Sequence, residues 1–289
     1  MSSEPALAAA PTAFVGARRP PRVKAGAVIG ALIVGFWLLI AFFGPLVSPH
    51  DVGEVVDTDL YGEISRAFPL GTDYLGRDVL SRIIFGARYT IGVAVAATAI
   101  AIFAGGALGM LAAVSGRWID ALLSRSFDAL ISIPSLMFGL VAIAALGSSV
   151  PVLVGTTAII YTPGAFRIWR SLAVNVNAMD YVVVARARGE GKAYLIREEI
   201  LPNIIGPVLT DFGLRFVFAV LLLSALSFLG LGIQPPYADW GSLVRENIIG
   251  LSQGAPAVVM PAAAIATLTI GVNLIVDNLP GRRLALESR

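Results

Sequence analysis

Long uncharged apolar runs are the feature that most restricts how this chain folds. Residues 25–47 and 90–115 contain no Asp, Glu, Lys or Arg. A helix of about 20 mostly apolar residues is long enough to cross a bilayer, and both runs exceed that length. Only 14% of the 289 residues are charged, whereas soluble domains carry about 25%. The chain therefore has too little charge to cover a surface that faces water, and we predict an all-α integral membrane protein.

Six transmembrane spans are predicted from these runs. The first run has 23 residues, which is longer than the apolar core of about 7–15 residues in a cleaved secretory signal, so we interpret it as a span. The uncharged residues 129–166 are too many for one helix, and GSSVP at 147–151 is typical of a turn. The predicted spans are 25–47, 90–115, 129–147, 151–169, 207 or 208 to about 232, and 258 to about 279.

The distribution of Arg and Lys near the span ends predicts the orientation. Basic residues concentrate in the N-terminal tail, in 116–128, in 170–206 and in the C-terminal tail. Because the side rich in Arg and Lys is cytoplasmic in most membrane proteins, we predict that both termini are cytoplasmic and that 48–89 and 233–257 are external. The predicted parts are a tail at 1–24, a first span at 25–47, an external segment at 48–89, a membrane core at 90–280 containing a cytoplasmic loop at 173–206, and a tail at 281–289.

The cytoplasmic loop contains GEGKA, which looks like half of a phosphate-binding loop. A Walker A loop requires Gly at the position of Arg186 and Ser or Thr at the position of Ala193. Both chemically necessary residues are missing, so we reject a nucleotide site here. The segment instead predicts a short helix pair that breaks at Gly189 and that Pro202 prevents from continuing. Such a helix is solvated, lies on lipid headgroups or enters a groove of a partner.

This loop resembles the cytoplasmic loop of bacterial ABC importer permeases. The signature of that loop is E-A-A, three residues, Gly, and then I-x-L-P after a gap. The matching positions are Val183, Val184 and Ala185, then Gly189, then Glu199, Ile200, Leu201 and Pro202. Val183, Val184 and Glu199 depart from the signature, whereas the residues that shape the backbone are kept.

Three other stretches narrow the resemblance. They are PLGTDYLGRDVLSRIIFGAR at 69–88, LSFLGLGIQPPYADWGSLV at 226–244 and GVNLIVDNL at 271–279. They resemble the second permease subunit of peptide importers, a group that also handles nickel chelates, opines and glutathione. The third stretch has Asn273 and Asp277 at the family's positions, but Asn278, Pro280 and Gly281 replace the charged residues that follow. The resemblance covers roughly residues 25–280.

The resemblance implies a type I ABC importer permease fold in the bacterial inner membrane. It implies a heterodimer with a homologous permease, two cytoplasmic ATPases below it and an external substrate-binding protein. The chain would then be non-catalytic, with ATP and Mg²⁺ on the partner subunits and no cofactor or metal of its own. The residues assigned to ATPase docking are Val183, Ala185, Arg186, Gly189, Lys192, Tyr194, Leu195, Leu201 and Pro202. The residues assigned to the external family motif are Gly71, Asp73, Gly76, Arg77, Asp78, Trp240 and Gly241.

Metal sites, nucleic-acid binding and a charged pair inside the membrane are considered from the residues alone. The absence of Cys excludes thiolate metal sites, the single histidine, His50, is predicted to lie in a loop, and a net charge of +2 is too small to imply nucleic acid. Asp211 and Arg215 are spaced i,i+4 inside a predicted span, where charges are costly. They are either a self-neutralised pair with Arg215 reaching toward the headgroups, or part of the translocation path where a charged substrate passes.

Small residues and an external helix complete the predictions. Glycines at 105, 106 and 109, and again at 230 and 232, are expected to allow close packing of membrane helices. Residues 234–257 have the spacing of an amphipathic helix lying at the membrane interface, with apolar positions at Trp240, Leu243, Val244, Ile248 and Ile249. An ion-driven secondary transporter is a competing hypothesis, but it predicts inverted repeats and several acids near the midplane. A membrane enzyme would need paired catalytic groups that we do not find.

Overall fold

The computed structural model describes residues 25–279, and the two predicted cytoplasmic tails lie outside that range. Within it the chain folds into helices joined by turns and by one long non-helical segment, 48–78, and the only β-bridges are the isolated pairs Val55–Arg77 and Thr72–Asp78. The helices are α1 (Ala25–Val47), α2 (Val79–Val114), α3 (Arg117–Ile131), α4 (Ser135–Leu146), α5 (Val150–Asn177), α6 (Asp180–Ala187), α7 (Lys192–Tyr194), α8 (Leu201–Leu226), α9 (Trp240–Glu246) and α10 (Pro256–Val276). Two π-helical segments, Leu195–Ile200 and Ser227–Leu231, and a 3₁₀ segment, Ile248–Gln253, extend them.

The helices agree with the predicted spans in part. Among the described residues, four helices are long and apolar enough to cross a membrane, and the bent pair α3–α4 makes a fifth if it counts as one span. Helix α1 coincides with the first predicted span, and α10 lies within three residues of the sixth at both ends. Helix α5 is long enough but carries Arg167 and Arg170 near its end. Six spans and cytoplasmic termini therefore stay predictions.

Helix α2 begins earlier than predicted. It starts at Val79, inside the segment 48–89 that was expected to be external. Its 36 residues rise about 54 Å, so it is much longer than a bilayer core of about 30 Å. The Asp78 carboxylate caps it by accepting hydrogen bonds from the backbone N–H groups of Leu80 (3.2 Å) and Ser81 (3.1 Å). The predicted span started after the charged residue Arg88, whereas the helix also includes Arg88, which is exposed, and Arg82, which is paired with acids.

The third predicted span, 129–147, is wrong as a single helix. The chain breaks at Ser132–Pro134, and the axes of α3 and α4 differ by 83°. Proline disfavours a helical conformation of the residue before it, so Pro134 ends α3 and then serves as the N-cap of α4. With 12 residues, α4 is about 18 Å long and does not cross a bilayer alone. The predicted turn after it is present, at Gly147–Ser149.

Helices α2 and α5 meet through a stripe of glycines. A Cβ added at Gly105 would lie 2.6 Å from the carbonyl oxygen of Thr162, and one at Gly109 would lie 2.8 Å from that of Phe166. A Cβ at Gly106 would lie 2.6 Å from the ring of Trp169. These distances leave no room for a side chain, so the predicted role of this glycine cluster in packing is confirmed. At the other two positions, Gly230 adopts a φ of +94° and a Cβ at Gly232 would lie 2.2 Å from the Oγ of Ser227.

The predicted interfacial helix at 234–257 is instead buried in the protein. Helix α9 lies among α1, α2, α8 and α10, and Trp240 has no exposed surface. The indole Nε1 of Trp240 donates to the carbonyl oxygen of Ile83 (3.0 Å), and its backbone N–H donates to Thr90 Oγ1 (3.0 Å). The exposed large apolar side chains of this stretch are Tyr237 before α9 and Ile248, Ile249 and Leu251 in the 3₁₀ segment after it. The predicted apolar positions Trp240 and Leu243 therefore face neighbouring helices, whereas Ile248 and Ile249 are exposed.

Candidate functional site

The predicted docking loop forms two short helices that bend at Gly189. This residue has a φ of +89°, and its N–H donates to the carbonyl oxygen of Arg186 (3.0 Å). No atom lies within 4 Å of where its Cβ would be. Glycine is therefore required here by its backbone dihedral alone, because other residues are strained at positive φ. Gly191, two residues further, has an ordinary φ of −77° and also has open space around it.

A small apolar contact holds the two halves of the loop together. Val182 and Ala185 of α6 pack against Leu195, and all three side chains are buried. Ala185 is the position of the E-A-A signature that the chain retains, and it has no exposed surface. Val183 and Val184, which replace Glu and Ala of the signature, point outward with 51% and 56% exposure. The departures from the signature therefore lie on the outer surface, and the retained alanine lies inside.

The remaining predicted docking residues divide between this outer surface and the helix behind it. Exposed residues are Val183, Arg186, Gly189, Lys192, Tyr194 and Pro202, while Ala185 and Leu195 are buried and Leu201 is half-buried. The outer surface thus combines two valines and an aromatic ring with basic side chains. No acid of the described residues pairs with Arg186 or Lys192.

Hydrogen bonds tie the loop to the ends of two membrane helices. The guanidinium of Arg186 donates to Asn177 Oδ1 (2.7 Å) at the end of α5, and Asn177 Nδ2 donates to the carbonyl oxygen of Ala113 (3.1 Å) near the end of α2. Lys192 Nζ lies 3.5 Å from Ser115 Oγ, just after α2. The loop is therefore anchored to both helices that form the glycine-packed pair.

The prediction that Pro202 stops the helix is wrong. The chain is helical without a break from Lys192 to Leu226, the end of α8, and Pro202 lies in the first turn of α8. The turn before it, Leu195–Ile200, is π-helical. Proline lacks an N–H and is tolerated in a first turn, and the wider π turn accommodates the change in hydrogen-bond register. The docking loop therefore continues directly into a membrane helix.

Asp211 and Arg215 form the predicted ion pair. Arg215 Nε donates to Asp211 Oδ2 (2.8 Å), and side-chain exposure is 6% for the acid and 9% for the base. The expected reach of Arg215 toward headgroups is wrong, because its Nη1 donates to the carbonyl oxygen of Tyr161 on α5 (3.1 Å). A Cβ at Gly164 would lie 2.7 Å from the same Nη1, so the glycine provides the space that the guanidinium occupies. The pair joins α8 to α5.

On the predicted external side, four charged side chains form one buried cluster. Arg77 Nε lies 2.8 Å and Arg82 Nη1 lies 2.7 Å from Asp73 Oδ2. The same two guanidinium groups lie 3.0 and 2.7 Å from Glu246 Oε2 at the end of α9. Side-chain exposure is 11% for Glu246 and 5% or less for the other three. We call these residues, Asp73, Arg77, Arg82 and Glu246, the external charge cluster.

The external charge cluster contains two predicted motif residues and two that sequence reasoning missed. Asp73 and Arg77 were assigned to the family motif, whereas Arg82 was placed only within the external segment 48–89 and Glu246 was not singled out. One signal in the sequence could have identified Arg82, which lies three residues inside the strongly apolar helix α2. A buried arginine needs a counter-charge. Because Glu246 lies 164 residues away in the chain, the sequence does not identify that partner.

The other external motif residues shape the backbone around this cluster. Gly71 and Gly76 have positive φ, and a Cβ would lie 2.4 Å from the carbonyl oxygen of Gly62 and 2.1 Å from that of Asp57. Asp78 caps α2 and also approaches His50 Nδ1 at 3.3 Å, which places the histidine outside the helices as predicted. A Cβ at Gly241 would lie 2.6 Å from the carbonyl oxygen of Ser224. These residues therefore have clear roles in folding.

Tyr61 closes the external segment over the 3₁₀ turn. A Cβ at Gly250 would lie 2.5 Å from the Tyr61 ring, so the ring lies directly on the backbone there. Burial raises the pKa of the Tyr61 phenol, which stays uncharged at neutral pH. The segment 48–78 and the region after α9 thus form one packed unit.

Comparison with known proteins identifies the family. Residues 105–284 match the family described as binding-protein-dependent transport system inner membrane component. The dipeptide transport system permease protein DppC of Alkalihalophilus pseudofirmus is 33% identical over 253 residues, which cover 88% of this chain and 83% of that protein. The glutathione transport system permease protein GsiD of Pectobacterium atrosepticum is 30% identical over 254 residues, 88% of this chain and 84% of that protein.

A third relative matches over more of the chain. The probable D,D-dipeptide transport system permease protein DdpC of Escherichia coli is 33% identical over 270 residues, 93% of this chain and 91% of that protein. The predicted resemblance to the second permease subunit of peptide importers is therefore confirmed for the chain. This chain belongs to the family of binding-protein-dependent transport system inner membrane components.

Proposed function

We propose that the chain is a permease subunit of an ATP-driven importer in the bacterial inner membrane, and that its cargo is a di- or oligopeptide. Two of the three relatives described above are named for dipeptide transport. The third is named for glutathione transport, so another small solute of the same group, such as glutathione, an opine or a nickel chelate, is the second candidate. An ion-driven secondary transporter receives no support from these relatives.

The proposed complex contains more than this chain. A homologous permease would form the other half of the translocation pathway, and two cytoplasmic subunits would bind and hydrolyse ATP with Mg²⁺. A substrate-binding protein outside the membrane would deliver the peptide to the side that carries the external charge cluster. This chain would contribute no catalytic group, and its cytoplasmic loop would receive the motion of the ATPases.

The observation that carries this proposal is the continuity of the loop with a membrane helix. The loop presents Val183, Val184 and Tyr194 on an exposed surface, which suits a hydrophobic groove on a partner. Behind this surface the helix runs without interruption from Lys192 to Leu226, the end of α8. A rigid helix transmits a displacement along its axis, so movement of a docked ATPase would reach α8 and, through the Asp211–Arg215 pair, α5.

Replacing Gly189 with valine is the direct test of docking and coupling. We expect peptide uptake and peptide-stimulated ATP hydrolysis to fall by about tenfold or more, because a β-branched residue is strained at a φ of +89°. The experiment uses the complete importer in proteoliposomes with its binding protein present. Gly191→Val is the matched control, since its φ of −77° suits any residue and its surroundings are equally open.

Two results would contradict the docking role. One is equal activity of the Gly189 and Gly191 variants. The other is loss of uptake in the Gly189 variant while the ATPases stay bound and their stimulation by peptide stays normal. The family assignment would survive either result, because it does not depend on Gly189.

We also propose that the Asp211–Arg215 pair influences which charged peptides pass. Exchanging the two residues, Asp211→Arg with Arg215→Asp, keeps an i,i+4 ion pair but reverses the order of its charges along α8. We expect the relative uptake of acidic and basic peptides to change by several-fold while the ATPases remain bound. A fall in yield or folding with an unchanged preference would show that the pair only holds α8 to α5.

A further inference from the structure

Helix α3 has a face that is exposed within the described part of the chain and that has no role in the function proposed above. The helix lies at 83° to α4, which is apolar and exposes Met137 and Val141 along its length. If α4 enters the bilayer along the membrane normal, α3 lies close to the plane of the membrane. Its position before α4 and after α2 puts it on the predicted cytoplasmic side, at the depth of the headgroups.

The inner face of α3 contacts α5 through two ion pairs and an aromatic contact. Arg170 forms a bidentate ion pair with Asp120, and Arg167 Nη2 lies 2.5 Å from Asp128 Oδ1. The rings of Phe127 and Phe166 stack at 4.6 Å between these two ion pairs. Both acids of α3 are therefore neutralised by α5, and this contact fixes which side of α3 faces outward.

The outer face of α3 combines an exposed aromatic ring with unpaired arginines. Trp118 is 89% exposed and Leu122 is 68% exposed, one helical turn apart. Arg117 and Arg125 flank them, and neither has an ion pair or hydrogen bond within the described part of the chain. Together with Ala121, these four residues line one open depression. We call Arg117, Trp118, Ala121, Leu122 and Arg125 the Trp118 face.

The charge around α3 favours an anionic ligand. Four arginines, two on α3 and two on α5, stand against two aspartates, so the net charge is 4 − 2 = +2, and the two arginines in excess are those of the Trp118 face. Guanidinium groups bind phosphate through paired charge-assisted hydrogen bonds. Tryptophan concentrates at the level of lipid headgroups because its ring is amphipathic. An aromatic ring and two unpaired arginines on a helix in the membrane plane match the headgroup of an anionic phospholipid.

We propose that the Trp118 face binds the headgroup of an anionic phospholipid of the cytoplasmic leaflet. The site would seat the phosphate between Arg117 and Arg125, with Trp118 at the boundary between headgroup and acyl chains. This proposal depends on the predicted membrane orientation of the chain and not on the identity of the transported solute. Since α3 is bonded to α5, and Asn177 at the end of α5 binds Arg186 of the docking loop, the lipid would stabilise the support on which the docking loop rests.

The test compares lipid binding by the complete importer and by variants of the Trp118 face. We expect the purified complex to retain phosphatidylglycerol over phosphatidylcholine in native mass spectrometry. Arg117→Gln with Arg125→Gln should lower this retention by roughly thirtyfold, as two basic residues near an anionic surface contribute about 1 kcal/mol each. The charge-conserving variant Arg117→Lys with Arg125→Lys should keep most of it. Arg66→Gln is the matched control, because Arg66 is also exposed and lies in the external segment.

A crosslinking experiment in the same complex identifies the occupant of the face. A photoreactive residue in place of Leu122 should attach to phosphatidylglycerol in proteoliposomes. Attachment to a polypeptide would overturn the proposal and assign the Trp118 face to the contact with the second permease. Equal lipid retention by the wild type and the double glutamine variant would also overturn it. All substituted side chains are exposed, so folding should be preserved in each variant.

Discussion

The substitution Asp73→Ala should unfold the external part of the protein, because Asp73 neutralises two buried arginines at once. Its Oδ2 is within 2.8 Å of Arg77 and Arg82, and its Oδ1 accepts the backbone N–H groups of Leu75 (2.8 Å) and Arg77 (2.9 Å). Without it, Glu246 alone faces two guanidinium groups. Removing one partner from a buried ion pair costs about 3–5 kcal/mol, and this residue also holds the turn before α2.

The free energy of unfolding in detergent is the measurement for Asp73. Asp51→Ala is the control, because Asp51 belongs to the same external segment but is exposed, and exposed charges contribute about 0–1 kcal/mol. We also expect the loss to be partly recovered when Arg82→Met is added to Asp73→Ala, since one carboxylate then faces one guanidinium. A loss of stability for Asp73→Ala no greater than that for Asp51→Ala would contradict the role assigned to the external charge cluster.

The substitution Gly105→Leu is expected to separate α2 from α5. A Cβ there would lie 2.6 Å from the Thr162 carbonyl oxygen, 2.7 Å from the Ala165 Cβ and 2.8 Å from the Phe166 backbone nitrogen. Two of these atoms are backbone and cannot turn aside, so the helices must move apart along their whole contact. Overpacking a core costs about 1–3 kcal/mol and occasionally more, and we expect the upper end of that range here.

The control for Gly105 lies on the same helix. No atom lies within 4 Å of a Cβ at Gly92, which is exposed, so Gly92→Leu should leave the protein intact. The yield of monodisperse protein and its thermal midpoint in detergent report the effect. If Gly105→Leu and Gly92→Leu behaved alike, the close contact of α2 with α5 would be wrong.

The docking loop shows which parts of a site can be predicted from the sequence. Gly189 was identified as a bend, and the structure agrees because the bend depends on the local backbone alone. Ala185 was assigned to docking on a partner, whereas the structure buries it inside the loop against Val182 and Leu195. Pro202 was expected to stop the helix, since proline usually does so. The π-helical turn before Pro202 lets the helix continue. We find no local sequence pattern that predicts a π turn.

The external side was harder to predict because residues that contact each other there are far apart in the sequence. Arg82 was counted among external charges, yet it is 2% exposed in the first turn of α2. Its counter-charges are nearby Asp73 and distant Glu246. A hydropathy scale gives each charged residue a fixed free-energy cost of leaving water. It therefore cannot include the stabilisation of Arg82 by Glu246, which lies 164 positions away in the chain.

Composition and local pattern were sufficient to specify a helical membrane protein, its apolar helices α1 and α10, the glycine contact surface and the bend at Gly189. Each of these follows from the preferences of single residues or of neighbours within a few turns. The packing of distant segments set the rest, namely the early start of α2, the burial of α9 and the partners of Arg82 and Arg215. A buried charge is stable only when a complementary group is brought to it, and that group is supplied by the fold.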